Sequence, residues 1–237
     1  MEIPIAMVLT GITGHSDDNY ISQCAEELSR KGFRSVVATF RGYEIPCKSN
    51  NFFDMTSVED MKETVSHIKS SYPNAKLYVV AFSLGANIAT KYCGVMKDES
   101  QVDALVSISN PFKIKSACHE ISKWKNYIYG FYMARGLAKL AINNKRCIEA
   151  RFKEKGLDMN LDNITPNSFS NPEQYLSQIY LHHSKYDNLE EFYKNTDCVE
   201  YLKDINIPTL FINSKNDFVS IKENIPTDII KQKDNML

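Results

Sequence analysis

The stretch "LYVVAFSLGANIATKYCG", Leu77 to Gly94, runs largely apolar residues into Ala81-Phe82-Ser83-Leu84-Gly85, and helical spacing begins straight after. An apolar run that turns at once into a helix is the joint of a βα unit, a buried strand meeting the helix that covers it. A hydroxyl at such a joint gains nothing from packing. The pattern small-x-Ser-x-Gly forces the serine into strained backbone geometry that only tiny neighbours permit, here Ala81 and Gly85 backed by Ala86. Such a bend lifts the Ser83 Oγ above the carboxyl edge of a sheet, where open α/β sheets bind ligands. It also aims the Leu84 N–H at an oxyanion, with the dipole of the following helix behind it. A five-residue match also fits a plain strand–helix turn, but its position after a buried strand favours Ser83 as a nucleophile.

The same joint recurs on both sides. Residues 3–10, "IPIAMVLT", read as a buried strand ending in the tight turn Gly11-Ile12-Thr13-Gly14. Ser16, Asp17 and Asp18 open a helix, since their oxygens suit the free amides of a first turn, and Gly32 stops it. "FRSVVATF" (33–40) is the next strand, followed by an irregular aromatic loop to about Met55. "SVEDMKETVSHIKSSYP" has helical spacing at Val58, Met61, Val65 and Ile68. Then come the strand "KLYVVAF", the helix Leu84–Cys93 and the strand "VDALVSIS" (102–109). Alternation with short connections predicts an α/β fold with a mainly parallel, doubly wound sheet of about five strands. From Pro111 to about Tyr201 no strand is evident, and the period resumes at "IPTLFINSKND" (207–217). The chain is therefore expected to be a single domain over 1–237 with a helical cap insertion of about 111–200.

The strand ends supply partners for Ser83. The Gly-rich turn after the first strand offers a second oxyanion donor, most naturally the Ile12 N–H, although a simple βα turn is the plainer reading of that turn alone. Asp217 follows the last strand, where the acid of a Ser-acid-His order belongs. Asp204 precedes that strand at its wrong end, and Asp228 lies beyond a further turn.

Composition narrows the setting. A 43% hydrophobic and 24% charged chain with net charge −1 carries no basic footprint for nucleic acid, so none is expected as a partner. Lys and Arg recur in 113–125 and 143–155, mixed with apolar and acidic residues, and read as solvated helical faces. The six cysteines form no CxxC pair, which fits reduced thiols and no metal or other cofactor. Glu2 stands where a signal peptide carries basic charge, and no run approaches the roughly 18 apolar residues of a membrane span. A cytoplasmic protein is expected, with membrane association only through its substrate or a segment outside this sequence.

With these residues in place the chain resembles α/β-hydrolase-fold serine hydrolases. The likeness is to the esterase/lipase branch of abhydrolase-domain proteins, including embryogenesis-associated-protein-like and YheT-like hydrolases. The matching pieces are "LTGITGHSDDNYI", "FRGY", "SVEDMKETVSHIKSSYP", "VVAFSLGANIATKY", "SISNPF" and "IPTLFINSKNDFVS", in family order over most of residues 5–226. The resemblance implies a serine esterase acting on carboxylic esters, lipid-like acyl esters above all. By position, Ser83 is its nucleophile, Asp217 the acid, and the amides of Ile12 and Leu84 the oxyanion hole. The chain departs from the family at Thr10-Gly11, usually His-Gly or Pro-Gly, and at Ala81, usually Gly; neither change removes a backbone donor.

The third departure is larger. The family's histidine follows one more strand, yet the five histidines here (His15, His67, His119, His182, His183) all precede Asp217, and "TDIIKQKDNML" shows neither strand nor histidine. A shortened form of an active enzyme is expected, because "TLFIN" would otherwise lie at an open sheet edge. The alternative is an inactive relative that keeps the pocket to bind a lipid or a partner. In the cap, Ile121, Trp124, Ile128, Phe131 and Tyr132 fall near one helical face, suited either to an acyl chain or to docking the cap onto the sheet.

Overall fold

The computed structural model describes residues 2–237. Five strands, β1 (Ile5–Leu9), β2 (Arg34–Ala38), β3 (Leu77–Phe82), β4 (Ala104–Ile108) and β5 (Thr209–Ile212), form one sheet in the order β2-β1-β3-β4-β5. Every pairing is parallel, with Leu9 opposite Ala38 and Ala81, and Phe82 opposite Ile108. All five residues of β1, "IAMVL", are buried, as expected for an inner strand covered on both faces. Helices α1 (Asn19–Arg30), α2 (Glu59–Ser71) and α3 (Leu84–Met96) connect these strands, and α3 is buried from Leu84 through Gly94. The chain order reverses between β1 and β3, so the carboxyl ends of those two strands frame the switch-point crevice of the sheet.

Two local expectations need correction. No side chain caps α1; the Asp18 carboxylate instead accepts from the His15 N–H at 2.9 Å, closing the loop before the helix. Gly32 does terminate the helix, at φ 89°. At the other end, the segment after Asp217 is not devoid of extended chain. Asn235–Leu237 run parallel beside β5: Thr209 N–H donates to Asn235 O at 2.8 Å, Leu237 N–H to Thr209 O at 3.0 Å, and Phe211 N–H to Leu237 O at 2.8 Å. The β5 edge is thus paired along its first residues rather than open, although Leu210 and Ile212 stay exposed.

The chain divides into two compact units. Among the described residues the sheet unit holds 2–39, 55–113 and 197–237; the second unit holds 40–54 and 114–196. The second unit is helical: α4 (Ile114–Ser122), α5 (Tyr127–Asn143), α6 (Lys145–Glu154) and shorter pieces at Pro172–Tyr175, Leu176–Tyr180, Leu181–His183 and Leu189–Thr196. Residues 40–54, read from sequence as a loop, are bound into it. Phe40 stacks on Phe53 at 4.3 Å, and Asn144 accepts from Cys47 N–H at 2.8 Å while donating to Gly42 O at 2.7 Å and Leu140 O at 2.9 Å. The aromatic stripe of this unit is not one face. The backbone turns extended at Lys123, so Ile121 ends α4 and is buried, whereas Trp124, Ile128 and Tyr132 are exposed.

Candidate active site

Ser83 sits between β3 and α3 with φ 51° and ψ −120°. A left-handed φ costs an L-residue of this kind about 1–3 kcal/mol and persists only where the surroundings enforce it. The enforcement is visible. Ser83 N–H donates to Ile108 O at 2.9 Å, and Ser83 O accepts the first helical bond from Asn87 N–H at 3.1 Å. At Gly85 an added Cβ would lie 2.3 Å from the Thr10 carbonyl oxygen and 3.0 Å from Leu9 Cγ, so only glycine lets α3 start this close to β1. At Gly11 an added Cβ would lie 3.1 Å from Ser83 Cβ and 3.7 Å from its Oγ, so the turn after β1 backs directly onto the hydroxyl.

Strain recurs along this edge. Thr13 (φ 54°) and Ser109 (φ 51°) follow β1 and β4 as Ser83 follows β3. The Gly11–Gly14 turn closes with Gly14 N–H donating to Gly11 O at 3.1 Å, and the N–H groups of Ile12 and Leu84 meet no acceptor among the described residues. The Leu84 amide follows Ser83 directly, and the Ile12 amide follows Gly11, whose added Cβ would lie 3.7 Å from the Ser83 Oγ. Tyr20, which nothing in the sequence singles out, holds this corner. Its ring packs edge-on against Phe82 at 5.1 Å and its hydroxyl hydrogen-bonds the Gly11 backbone, while burial pushes its pKa up.

Asp217 lies in the loop after β5, half-buried. Its Oδ1 accepts from Val219 N–H at 2.8 Å and Ser220 N–H at 3.0 Å, which fixes the carboxylate and leaves Oδ2 without a hydrogen-bond partner among the described residues. Ser83 follows β3 and Asp217 follows β5, so both lie beyond the carboxyl ends of their strands, with β4 between those strands. Asn110, just past β4, joins the two sides. Its side chain donates to Thr90 Oγ1 and Ser107 Oγ, each at 3.1 Å, and its carbonyl accepts from Asn213 Nδ2 at 3.2 Å and from Ser220 Oγ.

The sheet unit holds two of the five histidines. His15 is exposed in the loop after β1, on the far side of β3 from β5, and His67 is exposed on α2. In the second unit His119 is exposed and His182 half-buried. His183 is buried between Phe52 and Tyr180, and burial, with Arg151 nearby, lowers its pKa to about 3, leaving a poor proton acceptor.

The sequence model of the family described as serine aminopeptidase, S33, matches residues 4–227. This chain belongs to the S33 family of α/β hydrolases. As an S33 member it is 26% identical to the embryogenesis-associated protein EMB8 of Picea glauca over 99% of this chain and 50% of that protein. It is likewise 26% identical to the monoacylglycerol lipase ABHD2 of Danio rerio over 98% of this chain and 54% of that protein. The chain thus spans about half the length of these relatives. Among solved structures, the esterase Pf2001 of Pyrococcus furiosus superposes with a TM-score of 0.55 at 15% identity, covering 97% of this chain and 68% of that one. At that identity the likeness speaks for the α/β-hydrolase fold alone.

Proposed function

We propose that this chain is a serine hydrolase acting on carboxylic esters of lipid type, with Ser83 as nucleophile. The observation that carries the reading is the strained Ser83 backbone at the β3–α3 turn, with Gly85 pressed onto Thr10 and Gly11 packed against the serine. The name of the zebrafish relative, a monoacylglycerol lipase, supports the lipid-ester class.

In this reading Ser83 Oγ adds to the ester carbonyl carbon and loses its proton, and the carbonyl electron pair moves onto oxygen, held by the Ile12 and Leu84 N–H groups. Collapse breaks the bond to the alcohol, which leaves with the proton, and an acyl-serine remains. Water adds to that acyl group, the acyl–Oγ bond breaks as Oγ takes back a proton from the water, and the free acid departs. Asp217, with one oxygen fixed and the other open, would orient a base between itself and Ser83. No histidine follows Asp217 in this sequence to serve as that base, and absence of a triad member costs on the order of 10⁴–10⁶ in kcat.

With that base unassigned, the second reading is a protein that binds an ester or lipid at this edge without turning it over. A fluorophosphonate probe separates the two. Covalent labelling of the chain, abolished in Ser83→Ala, is the expected result; a folded chain that takes no label, or labels equally in Ser83→Ala, sinks the hydrolase reading. A panel of monoacylglycerols, short acyl esters and aminoacyl anilides then sets ester against amide cleavage, the chemistry for which the serine aminopeptidase family is named.

A further inference from the structure

We propose that the aromatic and cationic face formed by Trp124 and the first half of α5 docks onto an anionic lipid–water interface. Nothing in this proposal depends on the chemistry at Ser83. It differs from the sequence expectation that membrane contact comes only through the substrate or a segment outside this sequence.

Helix α5 is built inside out. It buries Gly130, Ala134, Ala138 and Ala141 along with Leu137 and Leu140, and leaves its largest apolar side chains in solvent. Ile128 is 64% exposed, Tyr127 56% and Tyr132 67%, and Trp124, just before the helix, is 91% exposed. A helix that only fills a core places its large residues inward. Gly130 shows how this arrangement is held: an added Cβ would lie 2.6 Å from the Ile121 carbonyl oxygen, so α5 approaches α4 backbone to backbone and its bulk is turned outward. The outward rings are braced, with Phe131 at 6.1 Å from Tyr127 and 6.0 Å from Tyr132.

Charge identifies the occupant. From Ile121 to Ile148 there is no Asp or Glu, but there are six cations, Lys123, Lys125, Arg135, Lys139, Lys145 and Arg146, in a chain of net charge −1; of these Lys145, on α6, is paired with Asp162 and Glu149. Lys123 and Lys125 both pair with Glu120, Lys125 at 2.6 Å, so one carboxylate faces two ammonium groups and positive charge is left over beside Trp124. Ile128, Tyr132, Arg135 and Lys139 recur at i, i+4, i+7 and i+11, a single line on which apolar bulk passes into cations. Arg135 donates to the neutral Asn167 side chain, so its charge is not cancelled there. Trp and Tyr combine an apolar ring with a polar edge and settle at the headgroup boundary, while Lys and Arg meet anionic headgroups. No described helix is long and apolar enough to cross a membrane, so this face lies on the surface.

Trp124 is the only tryptophan, so its emission reports this face alone. Vesicles of phosphatidylcholine mixed with phosphatidylglycerol should shift that emission to the blue and carry the protein down on sedimentation. Salt should weaken the binding, because it screens exposed charge. By sedimentation, Trp124→Ala with Ile128→Ser should lower partitioning about tenfold and Lys139→Glu about threefold, with far-UV circular dichroism unchanged. The proposal is overturned if folded protein neither shifts nor sediments. Equal binding to pure phosphatidylcholine removes the anionic preference and overturns it too. A blue shift that grows with protein concentration without lipid assigns the face to a second copy of the chain instead.

Discussion

Helices α3 and α5 are alike on paper and opposite in the molecule. Both are apolar and rich in glycine and alanine, yet α3 is buried over eleven consecutive residues, Leu84 to Gly94, whereas α5 buries six and exposes its rings. The difference lies in what each glycine meets. Gly85 and Gly94 press on the backbones of Thr10 and Tyr201, which seats α3 between the sheet and the turn at 199–204, whereas Gly130 presses only on Ile121 of the neighbouring helix. Small residues permit close approach in both places; the number of elements that approach decides whether the rest of the helix becomes core or surface.

The largest blow to this contrast should come from Gly85→Val, which sets branched carbon against a carbonyl oxygen 2.3 Å from the Cβ position. We expect a loss of at least about 3 kcal/mol in urea unfolding followed by circular dichroism. An unchanged midpoint means that α3 does not begin where described. Next, Leu137→Ala inside α5 should cost about 2–3 kcal/mol, while Tyr132→Ser on its outer face should stay within about 0.5 kcal/mol. Equal costs for the two would erase the inside-out description.

Acid sharpens the comparison between the two units. His183 is buried in the second unit, and its Nε2 has no hydrogen-bond partner among the described residues. Its folded pKa of about 3 lies below the unfolded value of 6.5, so between those values the unfolded chain binds more protons. The stability it contributes is complete above about pH 6.5 and is lost as pH falls toward 3. Lowering the pH from about 7.5 to 5 should cost about 2 kcal/mol through this group alone. His183→Phe should flatten that part of the profile; an unaltered acid slope would place the titration elsewhere.

The sheet was legible because each strand is a short apolar run bounded by turn residues. The runs at 3–10, 33–40, 102–109 and 207–217 each contain an observed strand, as does the run before Ser83. Ser83 was legible for the same reason, since its strain is written in its immediate neighbours. What stayed hidden depends on partners distant in sequence. Tyr20 supports the corner through Phe82, residues 40–54 are held by Asn144, and Asn235–Leu237 find β5 across more than twenty residues. The stripe from Ile121 to Tyr132 failed differently: one extended residue, Lys123, rotates everything after it away from the face that periodicity assigns.

Asn110 carries a consequence for motion. One buried side chain and its carbonyl tie Thr90 on α3 to Asn213 and Ser220 around Asp217. Neither end can loosen without breaking the same cluster of bonds. In deuterium exchange, the amides at the base of α3 and those of β5 and its following loop should therefore surrender protection in a single concerted opening, which makes the two ends of the crevice one mechanical body.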